Sequence, residues 1–161
     1  MSTIEFHNFT ELSLKDKEII FSWRNSLEVK KWMLTSDTIS LSNHLKFIES
    51  LKSNKDRLYF LLKNSTQSLG VISFIEITQS SCFLGIYKNP SLRGVGEILL
   101  NSLIKYAFKE LSLKHLTAQV FADNTKALTL YTKHNFLENS REIYINKELI
   151  NMELKYENWQ V

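Results

Sequence analysis

Apolar and polar positions change their spacing several times along the chain. Residues 3–9 alternate loosely, with Ile4 and Phe6 ahead of Phe9, which predicts a first strand. Ser13 with Asp16 three positions on has the form of an N-cap with an acidic third position. The helix it opens runs to about Trp23 and buries Leu14, Ile19, Ile20 and Trp23. The stretch WRNSLEVKKWM, residues 23–33, has no clean period. Ser40 is placed to cap a second helix, in which Leu41, His44, Leu45, Ile48 and Leu51 recur at helical spacing.

The middle of the chain changes to strand periods. YFLLK, residues 59–63, reads as a buried strand, and NSTQS, residues 64–68, as a turn. In LGVISFIEI, residues 69–77, Leu69, Val71, Ser73, Ile75 and Ile77 face one way. Gly70, Ile72, Phe74 and Glu76 face the other. CFLGIYK, residues 82–88, completes an antiparallel meander. Beyond Pro90 a helix carries the stripe Leu100, Leu103, Ile104, Ala107, Phe108 and Leu111. HLTAQVF, residues 115–121, is a strand, and Asn124 caps a short helix reaching about His134. Asn135 tolerates the left-handed geometry of a helix end. Two strands near 142–146 and 149–156 form a hairpin across Asn146, Lys147 and Glu148.

The order predicts an α+β fold, with a mixed sheet of about seven strands and about four helices. The unit from 82 to 121 is a strand–helix–strand crossover, so its strands lie parallel and side by side.

The 161 residues suit one domain spanning the whole chain. At 43% hydrophobic and 23% charged, the composition excludes disorder. The net charge of +3 is a mild bias without a basic run, so nucleic acid is not an expected partner. The lone Cys82 cannot form an internal disulfide and reads as a small buried hydrophobe, which fits a reducing, cytoplasmic setting. The N-terminus has no secretory pattern and no stretch reaches the length of a membrane span, so no membrane partner is expected.

Backbone punctuation is concentrated in SLRGVGEILL, residues 91–100. Two of the four glycines, Gly94 and Gly96, lie there, and the single proline, Pro90, precedes them. A helix start exposes unpaired N–H groups and a partial positive charge, and glycines ahead of it let a phosphate approach. The same residues also make an ordinary strand-to-helix turn. Neither the P-loop nor the dinucleotide-binding glycine pattern is present.

Arg93 and Gly96 match the pattern [QR]-x-x-G-x-[GA], with Ile98 where a small residue is usual. Asn124, Ala127, Tyr131, Asn135 and Phe136 match N-x-x-[AS]-x-x-x-Y-x-x-x-[GN]-F. On these two motifs the chain resembles the GCN5-related N-acetyltransferase (GNAT) family. The resemblance implies a sheet splayed between the strands at 82–88 and 116–121. It implies acetyl-CoA bound by the backbone of Leu84, Gly85, Ile86 and Tyr87, by the loop Arg93, Gly94, Val95, Gly96, Glu97 and Ile98, and by Asn124 and Tyr131. Tyr131 would be the general acid toward the leaving sulfur. Asn124 has both a capping and a ligand reading.

Proton removal from the acceptor amine is left between Glu76, His44, Ser81 and water. Each has a plainer reading: a carboxylate near a strand end, a packed histidine and a turn serine. No metal is implied.

WRNSLEV and the helix around His44 resemble the family branch of ribosomal-protein N-terminal acetyltransferases. A longer set of matches, NFTELS, FSWRN, GVISFIEIT and SLRGVGEILLNSLIKYAF, resembles the branch that works in bacterial pseudaminic acid biosynthesis, on the route to flagellin glycosylation. That branch implies a small-molecule acceptor, UDP-4-amino-4,6-dideoxy-N-acetyl-β-L-altrosamine, acetylated directly on its 4-amino group. Trp23 or Trp32 would stack on uracil, with Arg24, Asn25, Lys30, Lys31 and His44 on the acceptor side. The rival readings are a peptide N-terminal acetyltransferase and a non-catalytic acyl-CoA-binding module. The oligomeric state, a homodimer included, is not set by the sequence.

Overall fold

The structure is a computed structural model that describes residues 3–159. Its centre is a seven-stranded sheet in the order β1-β2-β3-β4-β5-β7-β6. The strands are β1 (Ile4–Asn8), β2 (Leu58–Asn64), β3 (Gln67–Ile75), β4 (Ser81–Lys88), β5 (His115–Phe121), β6 (Leu137–Tyr144) and β7 (Lys147–Lys155). β1 to β4 form an antiparallel meander, β4 and β5 run parallel, and β7 lies between β5 and β6.

The helices are α1 (Leu14–Asn25), α2 (Leu27–Lys30), α3 (Leu41–Ser50), α4 (Gly96–Lys105) and α5 (Thr125–Lys133). Three start as the capping pattern predicts. Ser13 Oγ accepts from Asp16 N–H, Ser40 Oγ from Asn43 N–H and Asn124 Oδ1 from Ala127 N–H. The fifth helix, four-residue α2, lies in the stretch without a period.

β3 is buried on both faces because two cores sandwich it, so its alternation separates two interiors rather than inside from outside. On one face α4 packs its stripe of Leu99, Leu100, Leu103 and Ile104 onto Ile72, Phe74, Leu84 and Leu116. On the other, α1 and α3 cover Leu61 and Val71 with Ile20, Trp23 and Ile48.

Four boundaries differ from the sequence expectation. The stripe predicted to run on to Leu111 is broken by a π-helical turn, Tyr106–Glu110, closed by Leu111 N–H to Tyr106 C=O. The turn delivers Tyr106 to Phe6, Phe60 and Phe74, with ring centroids 5.3, 5.0 and 5.6 Å away. The final hairpin turns at Ile145–Asn146, both at positive φ, and β6 begins at Leu137 rather than near 142. The first part of that strand was missed because its residues are exposed, leaving no apolar alternation to read. Glu76 lies past the end of β3 at φ 50°, so the alternation through Ile72 and Phe74 does not extend to it.

Candidate active site

β4 and β5 pair only at Ser81–His115, Cys82–Leu116 and Phe83–Thr117. Beyond Phe83 the strands part, while β4 stays paired to β3 through Lys88 and β5 to β7 through Phe121. Leu84–Lys88 therefore presents backbone N–H and C=O groups to a gap inside the sheet. Such groups call for a hydrogen-bonding partner.

The loop after β4 leads to the second polar feature. Asn89 pins it, accepting from Ser91 N–H and donating to Ser68 C=O, while Lys88 Nζ donates to Leu92 C=O. Gly94 has φ +73°, with open space around it, so its glycine answers a backbone requirement and not a steric one. Val95 is the N-cap of α4 and supplies no side-chain acceptor. The N–H groups of Gly96, Glu97 and Ile98 open the helix without an intrahelical partner, the arrangement that binds anions. The Glu97 side chain turns away to Lys133 of α5, at 2.6 Å, and that contact holds its carboxyl below the usual range. Ile98 is exposed, so its bulk is directed off the core.

α5 runs beside this loop; Leu130 is the nearest side chain to Gly96. Tyr131 is buried against Phe136, with ring centroids 5.1 Å apart. Burial pushes its phenol well above the ordinary value, so it carries its proton throughout the physiological range. Asn124 caps α5.

On the other face of the sheet stands a pair that the sequence reading passed over. Ser73 of β3 is in register with Gly85 of β4. Its Oγ lies within clashing distance of where a Cβ on residue 85 would be, and among the described residues it makes no hydrogen bond. The signal was present as one serine in an apolar strand and one glycine in CFLGIYK. Their being partners depends on register, which neither segment reveals alone.

The residues expected on the acceptor side have mixed placements. Trp23 is a core residue, 6% exposed among Phe9, Ile20 and Ile48, as the helix pattern predicts. His44 is also interior. Its Nε2 donates to Lys17 C=O of α1 at 3.0 Å and its ring lies 5.5 Å from that of Phe21. Burial lowers its pKa. The histidine pins α3 to α1, which is the packed reading of this position. Ser81 opens β4, with Oγ 2.9 Å from Thr78 Oγ1 of the preceding turn. Glu76 is exposed at the joined end of the strands, beyond Ile75–Phe83.

Arg24, Asn25 and Lys30 hold the loop that follows them. Asn25 exchanges two hydrogen bonds with the backbone of Ile39, Lys30 Nζ donates to Thr38 Oγ1, and Arg24 Nη2 donates to Thr35 C=O. Asn25 and Lys30 thus act on the chain itself. Arg24 has a group to spare, since its Nη1 is buried with no partner. Its charge is felt by Tyr59 and Tyr87. Trp32 has two ammonium groups near its ring, Lys31 Nζ at 5.3 Å and Lys147 Nζ at 5.9 Å from its centre. Cys82 is interior and burial pushes its thiol up to about 12, so it supplies no nucleophile at neutral pH.

No helix among the described residues is long and apolar enough to cross a membrane. A family model described as an acetyltransferase (GNAT) domain matches residues 8–136. Two relatives named acetyltransferase PseH, from two strains of Campylobacter jejuni, are 44% and 42% identical over 133 residues, covering 83% of this chain and 84% of each relative. The crystal structure of the C. jejuni N-acetyltransferase PseH in complex with acetyl coenzyme A aligns with TM-score 0.81 at 37% identity, over 96% of this chain and 99% of that one. A spermidine N-acetyltransferase from Vibrio cholerae, solved with CoA and spermine, aligns with TM-score 0.87 over 98% of this chain and 96% of its own. At 18% identity that likeness is one of fold.

Proposed function

The chain belongs to the GNAT acetyltransferase family and is an acetyl-CoA-dependent N-acetyltransferase, and we propose that its acceptor is the 4-amino group of UDP-4-amino-4,6-dideoxy-N-acetyl-β-L-altrosamine in pseudaminic acid biosynthesis. Residues 1–161 are read as one such domain. The likeness to proteins named PseH supports the choice of pathway. One structural observation carries the acceptor class: the buried, unpartnered Nη1 of Arg24. An orphaned guanidinium donor costs about 1–3 kcal/mol, which an anionic ligand offsets. A nucleotide diphosphate is such an anion, whereas a peptide N-terminus is not. A reducing, cytoplasmic setting fits both the acceptor and the lone thiol.

Coenzyme A suits the two polar features of the cleft. Its pyrophosphate matches the loop and first turn of α4, from Arg93 to Ile98, and its amide-bearing arm matches the free strand edge Leu84–Tyr87. When bound it supplies an activated acetyl thioester. The chain's own groups then have separate tasks. The N–H groups at 96–98 hold the phosphates, and the β4 backbone aligns the thioester. The phenol of Tyr131, kept protonated by burial, donates to the departing sulfur. Asn124, besides capping α5, borders the same cleft. The Ser73 hydroxyl, free over Gly85 on the opposite face, orients the amine or a water there.

Thiol release from acetyl-CoA, measured with the UDP-amino sugar, the corresponding free amino sugar and a peptide N-terminus, tests the reading. Turnover with the nucleotide-linked sugar alone is expected. Turnover with the peptide and not the nucleotide sugar would replace it with the ribosomal-protein type. Coenzyme binding without turnover on any amine would leave a binding module.

A further inference from the structure

An acceptor amine that arrives protonated must lose a proton before it attacks. The sequence candidates are poorly placed for this. Glu76 lies beyond the strand, His44 Nε2 is engaged by Lys17, and Ser81 Oγ is engaged by Thr78.

The strand register brings another group to the site. The last pair before β4 and β5 part is Phe83–Thr117, and Thr117 pairs in turn with Glu153 of β7. Paired residues on neighbouring strands share a face, and residues two apart along a strand share it too. Glu153 therefore lies in the row of Phe83 and Thr117, on the face that carries Ser73 and Gly85, one row from the opening. Among the described residues its carboxylate is held at one oxygen: Oε1 is 2.6 Å from His115 Nδ1. The carboxylate and imidazole are 23% and 43% exposed, so the pair meets solvent and is not core structure. The charged neighbours are few. Lys155 is in register with His115, and Lys114, Glu157 and Tyr156 line a cavity of about 300 Å³ beside it. From β6, Leu137 faces Glu153 and brings no charge.

We infer that the Glu153 carboxylate, held by His115, accepts the proton of the acceptor ammonium through one bridging water. This rests on the proposed acceptor reaction. The neutral amine nitrogen then forms a bond to the acetyl carbon as the carbon–sulfur bond breaks. The sulfur receives the Tyr131 proton, and the second amine proton returns to Tyr131 through water. One proton is released overall, and it leaves from Glu153 to the solvent that reaches the pair. Glu153 is the proton acceptor and His115 a positioning residue.

The test compares wild type, Glu153→Gln and His115→Asn between pH 6.5 and 9.5, with acetyl-CoA binding measured by calorimetry. Coenzyme affinity is expected to be unchanged in both variants. Glu153→Gln is expected to lower kcat/KM for the acceptor at least tenfold at pH 7. The gap should close at high pH, where the amine arrives already deprotonated. His115→Asn should show a smaller loss with the same pH shape. A loss equal at every pH, no loss, or loss of coenzyme binding in Glu153→Gln overturns the proposal. If wild type fails to acetylate the UDP-amino sugar, the acceptor reading fails instead. The same variants are then compared with the amine that wild type does acetylate.

Discussion

The hydroxyl oxygen of Ser73 fills the space that a Cβ on residue 85 would need, so each of these two residues requires the other to be small. Gly85→Ala forces the serine aside or bends β4. It is expected to cost about 1–3 kcal/mol of stability and to lower turnover. Ser73→Ala removes the clashing oxygen, so the double variant should regain the stability that Gly85→Ala alone loses. Denaturation midpoints of the four proteins in this cycle check it. Additive losses would show that the contact is not the cause. Low turnover in Ser73→Ala with intact stability would assign the hydroxyl a part in the chemistry.

Tyr131→Phe keeps the packing on Phe136 and removes only the hydroxyl. Loss of a general acid lowers turnover by roughly 10²–10⁴-fold. Coenzyme affinity should change little. Because burial raises the phenol pKa, Tyr131 should contribute no basic limb to the rate profile up to pH 10. Rapid-quench turnover and equilibrium binding together decide whether the residue acts on the leaving sulfur.

Arg24→Met keeps the aliphatic stem and deletes the orphaned donor. The KM for the nucleotide-linked acceptor is expected to rise about tenfold or more, in line with a charge-assisted bond of about 1.5–3 kcal/mol. The KM for acetyl-CoA should not move. An unchanged acceptor KM would remove the guanidinium from recognition.

His44 links stability to pH. Burial lowers its folded pKa below the 6.5 of the free side chain. Between those two values the unfolded chain holds more protons than the folded one. The stabilisation is therefore fully present above about pH 6.5 and is lost as pH falls through the folded pKa. Urea midpoints for wild type should drop between pH 7.5 and 5. His44→Gln, which can still donate to Lys17 C=O, should show a shallower drop.

Gly94→Ala places a side chain at φ +73° where nothing blocks it sterically. The expected cost is about 1–2 kcal/mol from backbone strain alone. A weaker grip on acetyl-CoA should accompany it as the loop relaxes. Calorimetry of coenzyme binding reads the second effect apart from the first.

Much of this was legible in residue order. Ser13, Ser40 and Asn124 announced three helix starts because capping is a local transaction between a side chain and an N–H three residues on. The glycine loop and the Tyr131 motif were legible for the same reason. Trp23 and His44 each had two readings in the sequence, because an aromatic or imidazole on a helix says nothing about whether the next layer is ligand or protein. Glu76 misled because one residue at positive φ ends a period of two. The pairs Ser73–Gly85 and Glu153–His115 were silent. Their relationships run between strands, and register is fixed by the whole sheet packing at once.

The parting of β4 from β5 means that, without coenzyme, the sheet carries two rims in its interior besides those at β1 and β6. Unpaired strand rims invite other strands. The free enzyme should therefore associate with itself more readily than its outer surface would suggest, and light scattering should fall when coenzyme A is added. In storage as in turnover, the nucleotide then serves as the eighth member of the sheet.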